Sequence, residues 1–117
     1  MKFEFDYNFE DDVLSIYNYN LQPSETIEIS EFLNVDIDKD GHIVGIEIIG
    51  ASEFFSMFNK EINKNLLDNL KDVSLEEKEY RNNWFISVIL KSENKVFVQN
   101  LPPMSKSEYA SPLIANS

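Results

Sequence analysis

From Phe3 onward apolar and polar residues alternate, with Phe3, Phe5 and Tyr7 on one side of an extended chain and Glu4, Asp6 and Asn8 on the other. A repeat of two marks a strand with one buried face. The acidic stretch Glu10 to Asp12 breaks the alternation, and Val13 to Tyr19, rich in β-branched and aromatic residues, reads as a second strand. After Pro23, which cannot donate to a ladder, Thr26 to Ser30 alternates again and gives a third.

The stretch from Leu33 to Ile49 reads as a hairpin around Asp40-Gly41. A two-residue type I′ turn sets Ile37 against Val44, Val35 against Ile46 and Leu33 against Ile48, all on one apolar face. A three-residue loop with Gly41 as a bulge mixes polar and apolar positions, so the two-residue turn is expected. Beyond Gly50, Ser52 is placed to cap a helix with Glu53 in its first turn. Phe55, Phe58, Ile62, Leu66, Leu70 and Val73 then recur every three or four residues, predicting one long amphipathic helix. Ser74-Leu75-Glu76-Glu77 has the capping-box pattern and predicts a short second helix to Arg81. Trp84 to Leu90 and Val96 to Val98, joined across Ser92 to Lys95, read as a C-terminal hairpin.

These elements predict an α+β fold: an antiparallel β-meander with one long helix on a face and a C-terminal β-hairpin. At 117 residues the chain fits one core. The expected division is a single domain over residues 1–101 and a flexible tail over 102–117, where the sequence turns small and polar.

Composition narrows the chemistry. With Lys+Arg 10 against Asp+Glu 21 the formal charge is −11, a field that repels phosphate backbones and anionic lipid heads. Arg81 is the one arginine, so the forked donor that suits phosphate is nearly absent. No nucleic-acid or membrane partner is therefore expected. Cys is absent, which removes disulfides, thiolate metal sites and thiol nucleophiles. With neither a signal-peptide core nor an apolar run of about 18 residues, a cytoplasmic protein is expected.

Tyr7 to Ile16, with Glu10-Asp11-Asp12 between its strands, and then Val35 to Ile49, containing Asp40-Gly41 and Gly45-Ile46-Glu47-Ile48, followed by Ala51-Ser52, resemble the domain-of-unknown-function 2283 family. The resemblance covers residues 7–52. It implies the order strand, acidic turn, strand, strand, Asp-Gly hairpin and helix, and it implies no catalytic residue. Members of that family occur beside small toxin-like proteins.

Several patterns suggest chemistry. Asp36, Asp38 and Asp40 at alternate positions, Gly41, and Glu47 at the twelfth place satisfy the calcium-loop pattern letter for letter. A calcium loop needs flanking helices, whereas this one lies in a β-branched hairpin, so Asp40 and Gly41 are assigned to the turn and no metal is expected. His42 is the one histidine and, with nearby carboxylates, suggests a small enzyme. No nucleophile elbow or phosphate-cradling loop accompanies it, and no cofactor is expected. Phe54, Phe55 and Leu67 widen the helix stripe beyond what one sheet covers and are candidate interface residues. The reading that follows is a non-enzymatic, self-associating interaction module, a homodimer. An acidic, antitoxin-like neutraliser of a basic toxin-like partner is the alternative, and the His42 enzyme the second alternative.

Overall fold

Alternation along the first half of the chain produces five antiparallel strands. The computed structural model describes residues 3–18 and 20–105. Strands β1 (Glu4–Asn8), β2 (Val13–Tyr17), β3 (Glu25–Ser30), β4 (Leu33–Ile37) and β5 (Ile43–Ile49) form one sheet in the order β1-β2-β5-β4-β3. Its inner face carries Leu14, Ile16, Ile27, Leu33, Val35, Ile37, Ile46 and Ile48, all buried. Leu33 pairs with Ile48 and Val35 with Ile46, as the apolar face requires.

The turn between β4 and β5 differs from expectation. The Asp38 N–H donates to the His42 carbonyl at 2.9 Å and the Gly41 N–H to the Asp38 carbonyl at 3.0 Å, so Lys39, Asp40 and Gly41 form a three-residue loop. Gly41 has φ 82°, whereas Asp40 is not among the residues with positive φ, which rules out type I′. Ile37 pairs with Ile43, not Val44, and a register shift beside Asp36 restores the pairing further along. The bulge absorbs the extra loop residue, so the three-residue loop mixes no faces after all. The type I′ geometry lies instead between Tyr80 and Asn83, where Arg81 (φ 51°) and Asn82 (φ 64°) form the loop.

The second half overturns the expected long helix, and with it the α+β assignment: the protein is mostly antiparallel sheet with two short helices. Helix α1 spans Ala51–Ser56 and α2 spans Lys64–Asp68. Between and after them asparagines take the backbone for themselves. The Asn59 side chain accepts from Glu61 N–H (3.0 Å), Asn63 caps α2 through Leu66 N–H (2.9 Å), and the Asn69 amide donates to the Asn65 carbonyl (2.7 Å). Such local bonds compete with a continuous helix. The apolar spacing still finds the core, since Phe55, Ile62, Leu70 and Val73 are buried, but Phe58 is exposed.

The expected second helix is a strand. β6 (Asp72–Tyr80) pairs along its whole length with β7 (Asn83–Lys91), which sets Val73 against Leu90 and Leu75 against Val88. Nine cross-strand pairs outweigh one capping box. The C-terminal hairpin forms as expected, β7 pairing with β8 (Val96–Asn100). The second sheet thus runs β6-β7-β8, and β9 (Met104–Ser105) also pairs with β7. Met104, in the stretch expected to be tail, is buried opposite Trp84. The rest of the expected tail, 106–117, lies outside the described residues.

One apolar cluster joins the two halves, running from Leu14 and Val35 through Phe55, Ile62 and Leu67 to Trp84, Val88 and Met104.

Because Gly41 sits at φ 82°, Gly41→Val is expected to lower unfolding stability by about 1–2 kcal/mol or more. Asp40→Asn, in an exposed turn position, should stay within about 0.5 kcal/mol. Paired denaturant melts check the difference, and equal losses would contradict the loop geometry.

Candidate functional site

The turn Phe9 to Asp12 closes the first hairpin, with Asn8 accepting from Asp11 N–H at 3.0 Å. Asp12 lies at φ 55°, a conformation that Asp tolerates through its short polar side chain. This turns its carboxylate toward the start of α1. There the Ser52 N–H donates to Oδ1 (3.0 Å) and Oδ2 (3.2 Å), the Ser52 hydroxyl donates to Oδ2 (2.7 Å), and the Tyr7 hydroxyl donates to Oδ1 (2.6 Å). The Asp12 carbonyl also accepts from Ala51 N–H at 2.9 Å.

The helix was expected to be capped by Ser52. Its N-cap residue is Gly50, at φ 68° and without a side chain to offer, and the capping carboxylate comes from Asp12, 40 residues before Ser52 in the chain and beside it in the neighbouring β1–β2 turn. Burial pushes the Asp12 carboxyl upward, but the bonds from Tyr7 and Ser52, with Lys64 nearby, outweigh it and hold the group below its ordinary range. The Tyr7 phenol is correspondingly raised, by burial first and then by its bond to Asp12.

A cleft of about 490 Å³ opens beside this network, lined by Phe9, Ser52, Ser56, Lys60, Ile62 and Lys64 among others. The Lys64 ammonium lies 4.8 Å from the centre of the Phe9 ring. Ser52 against a carboxylate has the outline of a nucleophile with its base. A carboxylate held below its normal range is a poor proton acceptor near neutrality, so the pair acts as a cap.

A second cluster lies where the two sheets meet. His42 follows the Asp38 to Gly41 turn, and Glu77 and Glu79 alternate along β6. One donor atom from each lies within 4.8 Å of the others, and His42 Nδ1 is 3.6 Å from Glu79 Oε1. Burial raises the Glu77 carboxyl to about 7, assisted by its hydrogen bond to Glu79 and the Glu79 charge, while His42 and the Ile43 N–H pull the other way. The carboxylates near His42 are thus Glu77 and Glu79. Sequence reasoning missed them because β6 was read as a helix. The alternation Val73, Leu75, Glu77, Glu79 was the available signal.

The calcium pattern does not assemble. Asp36 accepts from the Thr26 hydroxyl, and Asp38 Oδ1 accepts from the N–H groups of Asp40 and His42 at 2.9 Å each. Asp40 is exposed, and Glu47 accepts from Asn34 at 3.3 Å across the ladder. Of the candidate interface residues, Phe55 and Leu67 are fully buried in the core and present no surface, whereas Phe54 is half-buried. The exposed apolar residues beside Phe54 are Phe32, Met57 and Phe58.

Residues 4–52 match the family described as Protein of unknown function (DUF2283), in agreement with the resemblance seen over 7–52. That segment is bounded closely by the two ends of the Asp12 network, Tyr7 and Ser52. An uncharacterized protein of Methanocaldococcus jannaschii is 36% identical over 67 residues, which cover 57% of this chain and 57% of that relative. The chain therefore spans little more than half the length of the relative it matches. No solved structure matches. Among the described residues no helix is long and apolar enough to cross a membrane.

Asp12→Ala should lower stability near neutral pH by about 1–3 kcal/mol, since it strands the donors of Tyr7 and Ser52. The folded pKa of Asp12 is lowered, so its contribution is present above the unfolded value of 3.8 and is lost as pH falls through the folded value. The stability gap between the native protein and Asp12→Ala should therefore narrow below about pH 3.8. Chemical melts across pH check this, and a gap independent of pH would contradict the cap.

Proposed function

We propose that the protein is a self-associating interaction module, two copies meeting through the apolar face of Phe32, Phe54, Met57 and Phe58. The exposure of Met57 (72%) and Phe58 (55%) directly after α1 carries the reading. These side chains sit where the helix ends in a loop, and Phe54 and Phe58 meet edge to face with ring centroids 5.5 Å apart. A hollow lined by Phe32, Glu53, Phe54, Ser56 and Met57 lies beside them. Contiguous exposed aromatics rimmed by polar residues are the usual mark of a contact surface.

A second copy suits this face because an isologous contact needs only a self-complementary apolar patch. Glu53 lines the hollow beside it and supplies a polar rim. Self-association is the leading function, and a basic protein partner is the second reading, favoured by the charge of −11. Salt separates the two, since steering of a basic partner weakens steeply with ionic strength and an apolar seam does not.

At tens of micromolar, light scattering is expected to give a mass above 13.6 kDa for the native chain. Met57→Asp with Phe58→Asp should return it to the monomer without changing its circular dichroism. A monomeric native protein would remove the reading, and so would an oligomer that the double variant leaves intact.

A further inference from the structure

We propose that His42, Glu77 and Glu79 form a binding site for a first-row divalent cation, of which zinc is the best fit, at the junction of the two sheets. The proposal is independent of the self-association face.

The geometry starts from β6. Val73 and Leu75 are buried, and the two-residue repeat carries their side of the strand on to Glu77 and Glu79. Cross-strand pairing says the same: Glu77 stands opposite Ile86 and Glu79 opposite Trp84, both buried. Directly opposed residues share a face, so the two carboxylates continue the core-facing side of the strand to the point where it becomes exposed. Their third neighbour, His42, comes from the other sheet. It is placed there by the Asp38 cap on the turn, which holds the His42 N–H at 2.9 Å.

The distances suit a shared ion better than a direct bond. His42 Nδ1 and Glu79 Oε1 are 3.6 Å apart, beyond an ordinary hydrogen bond. An ion with ligand distances of about 2.0–2.1 Å in tetrahedral geometry separates its donors by roughly 3.4 Å. All three donor atoms lie within 4.8 Å of one another, so small rotations bring them around one centre. One imidazole and two carboxylates form a mixed nitrogen and oxygen set, which favours zinc and its neighbours over calcium or magnesium. Three protein ligands leave a fourth position for water, and His42 lies on the exposed side, so that position is accessible. The ion would clip the β4–β5 loop to β6 and keep one exchangeable ligand.

The test uses chelator-treated full-length protein titrated calorimetrically with zinc chloride near neutral pH. One ion per chain is expected, with His42→Ala and Glu77→Gln each weakening binding at least tenfold while circular dichroism stays unchanged. Glu93→Gln, on the exposed β7–β8 turn, should leave binding as it was. Cobalt(II) in place of zinc should give the strong visible absorption of a tetrahedral site in the native chain and lose it in His42→Ala. Absence of saturable binding at about 100 µM zinc, well above the range of ordinary protein zinc sites, overturns the proposal. Binding that survives both His42→Ala and Glu77→Gln also overturns it, because the ion would then sit on other carboxylates.

Discussion

Helix α1 begins at a glycine that offers no capping side chain, and its first free N–H groups are met by Asp12, from the β1–β2 turn beside the end of β5. Asp12 supplies both its backbone carbonyl, to Ala51, and its carboxylate, to Ser52. The bond fixes the point at which the chain leaves β5, because α1 cannot swing without exposing those donors. Ala51 and Phe55 then enter the core, and the following loop carries the chain under the first sheet toward β6. Tyr7 holds the other carboxylate oxygen, so the β1–β2 hairpin, the end of β5 and the start of α1 are joined at one charged group. The segment matched by the family stops at this junction, at Ser52.

The first sheet was readable because its alternation, its turns and its burial agree. Phe5 and Tyr7, Leu14 and Ile16, and Val35 and Ile37 each place one face inward by the same two-residue step, and the structure keeps them there. The hairpin loop was misjudged for a specific reason. A bulge next to Asp36 compensates the extra residue, and no composition rule announces a bulge. In the region of 52–80 the spacing of Phe55, Ile62, Leu70 and Val73 gave correct core residues and the wrong secondary structure. A loop interrupted by asparagine caps can lay apolar residues at helical intervals as well as a helix can. The strand that replaces the predicted helix at Ser74 is decided by β7, a partner distant enough that local pattern carries no information about it.

The site residues divide on the same line. Asp40 and Gly41 do lie in the loop that local chemistry pointed to, but it takes in Lys39 as well and is not the two-residue turn expected. His42 was noticed, but its neighbours were not, since Glu77 and Glu79 reach it only after β6 pairs with β7. Phe55 and Leu67 were selected for width around one long helix, and as core residues they anchor the two short helices α1 and α2 instead. Met57 and Phe58 became visible only when α1 ended at Ser56.

Charge placement bears on where contacts between molecules can occur. The outer strands of the first sheet, β1 and β3, carry Glu4 and Asp6 and Glu25 and Glu28, which discourage a second sheet from pairing at either edge. On the second sheet the edge strand β8 exposes Val96 and Val98, yet Lys95 precedes it and Lys91 lies opposite Val96. Charged residues next to an apolar edge strand serve the same protective role. With these three edges guarded, the face after α1 is an apolar surface without such a barrier, Glu53 being the one charge among the residues that line its hollow. Under the proposed self-association, repulsion at the edge strands and the exposed side chains at the end of α1 would be parts of one arrangement, the first blocking edge pairing and the second supplying the contact.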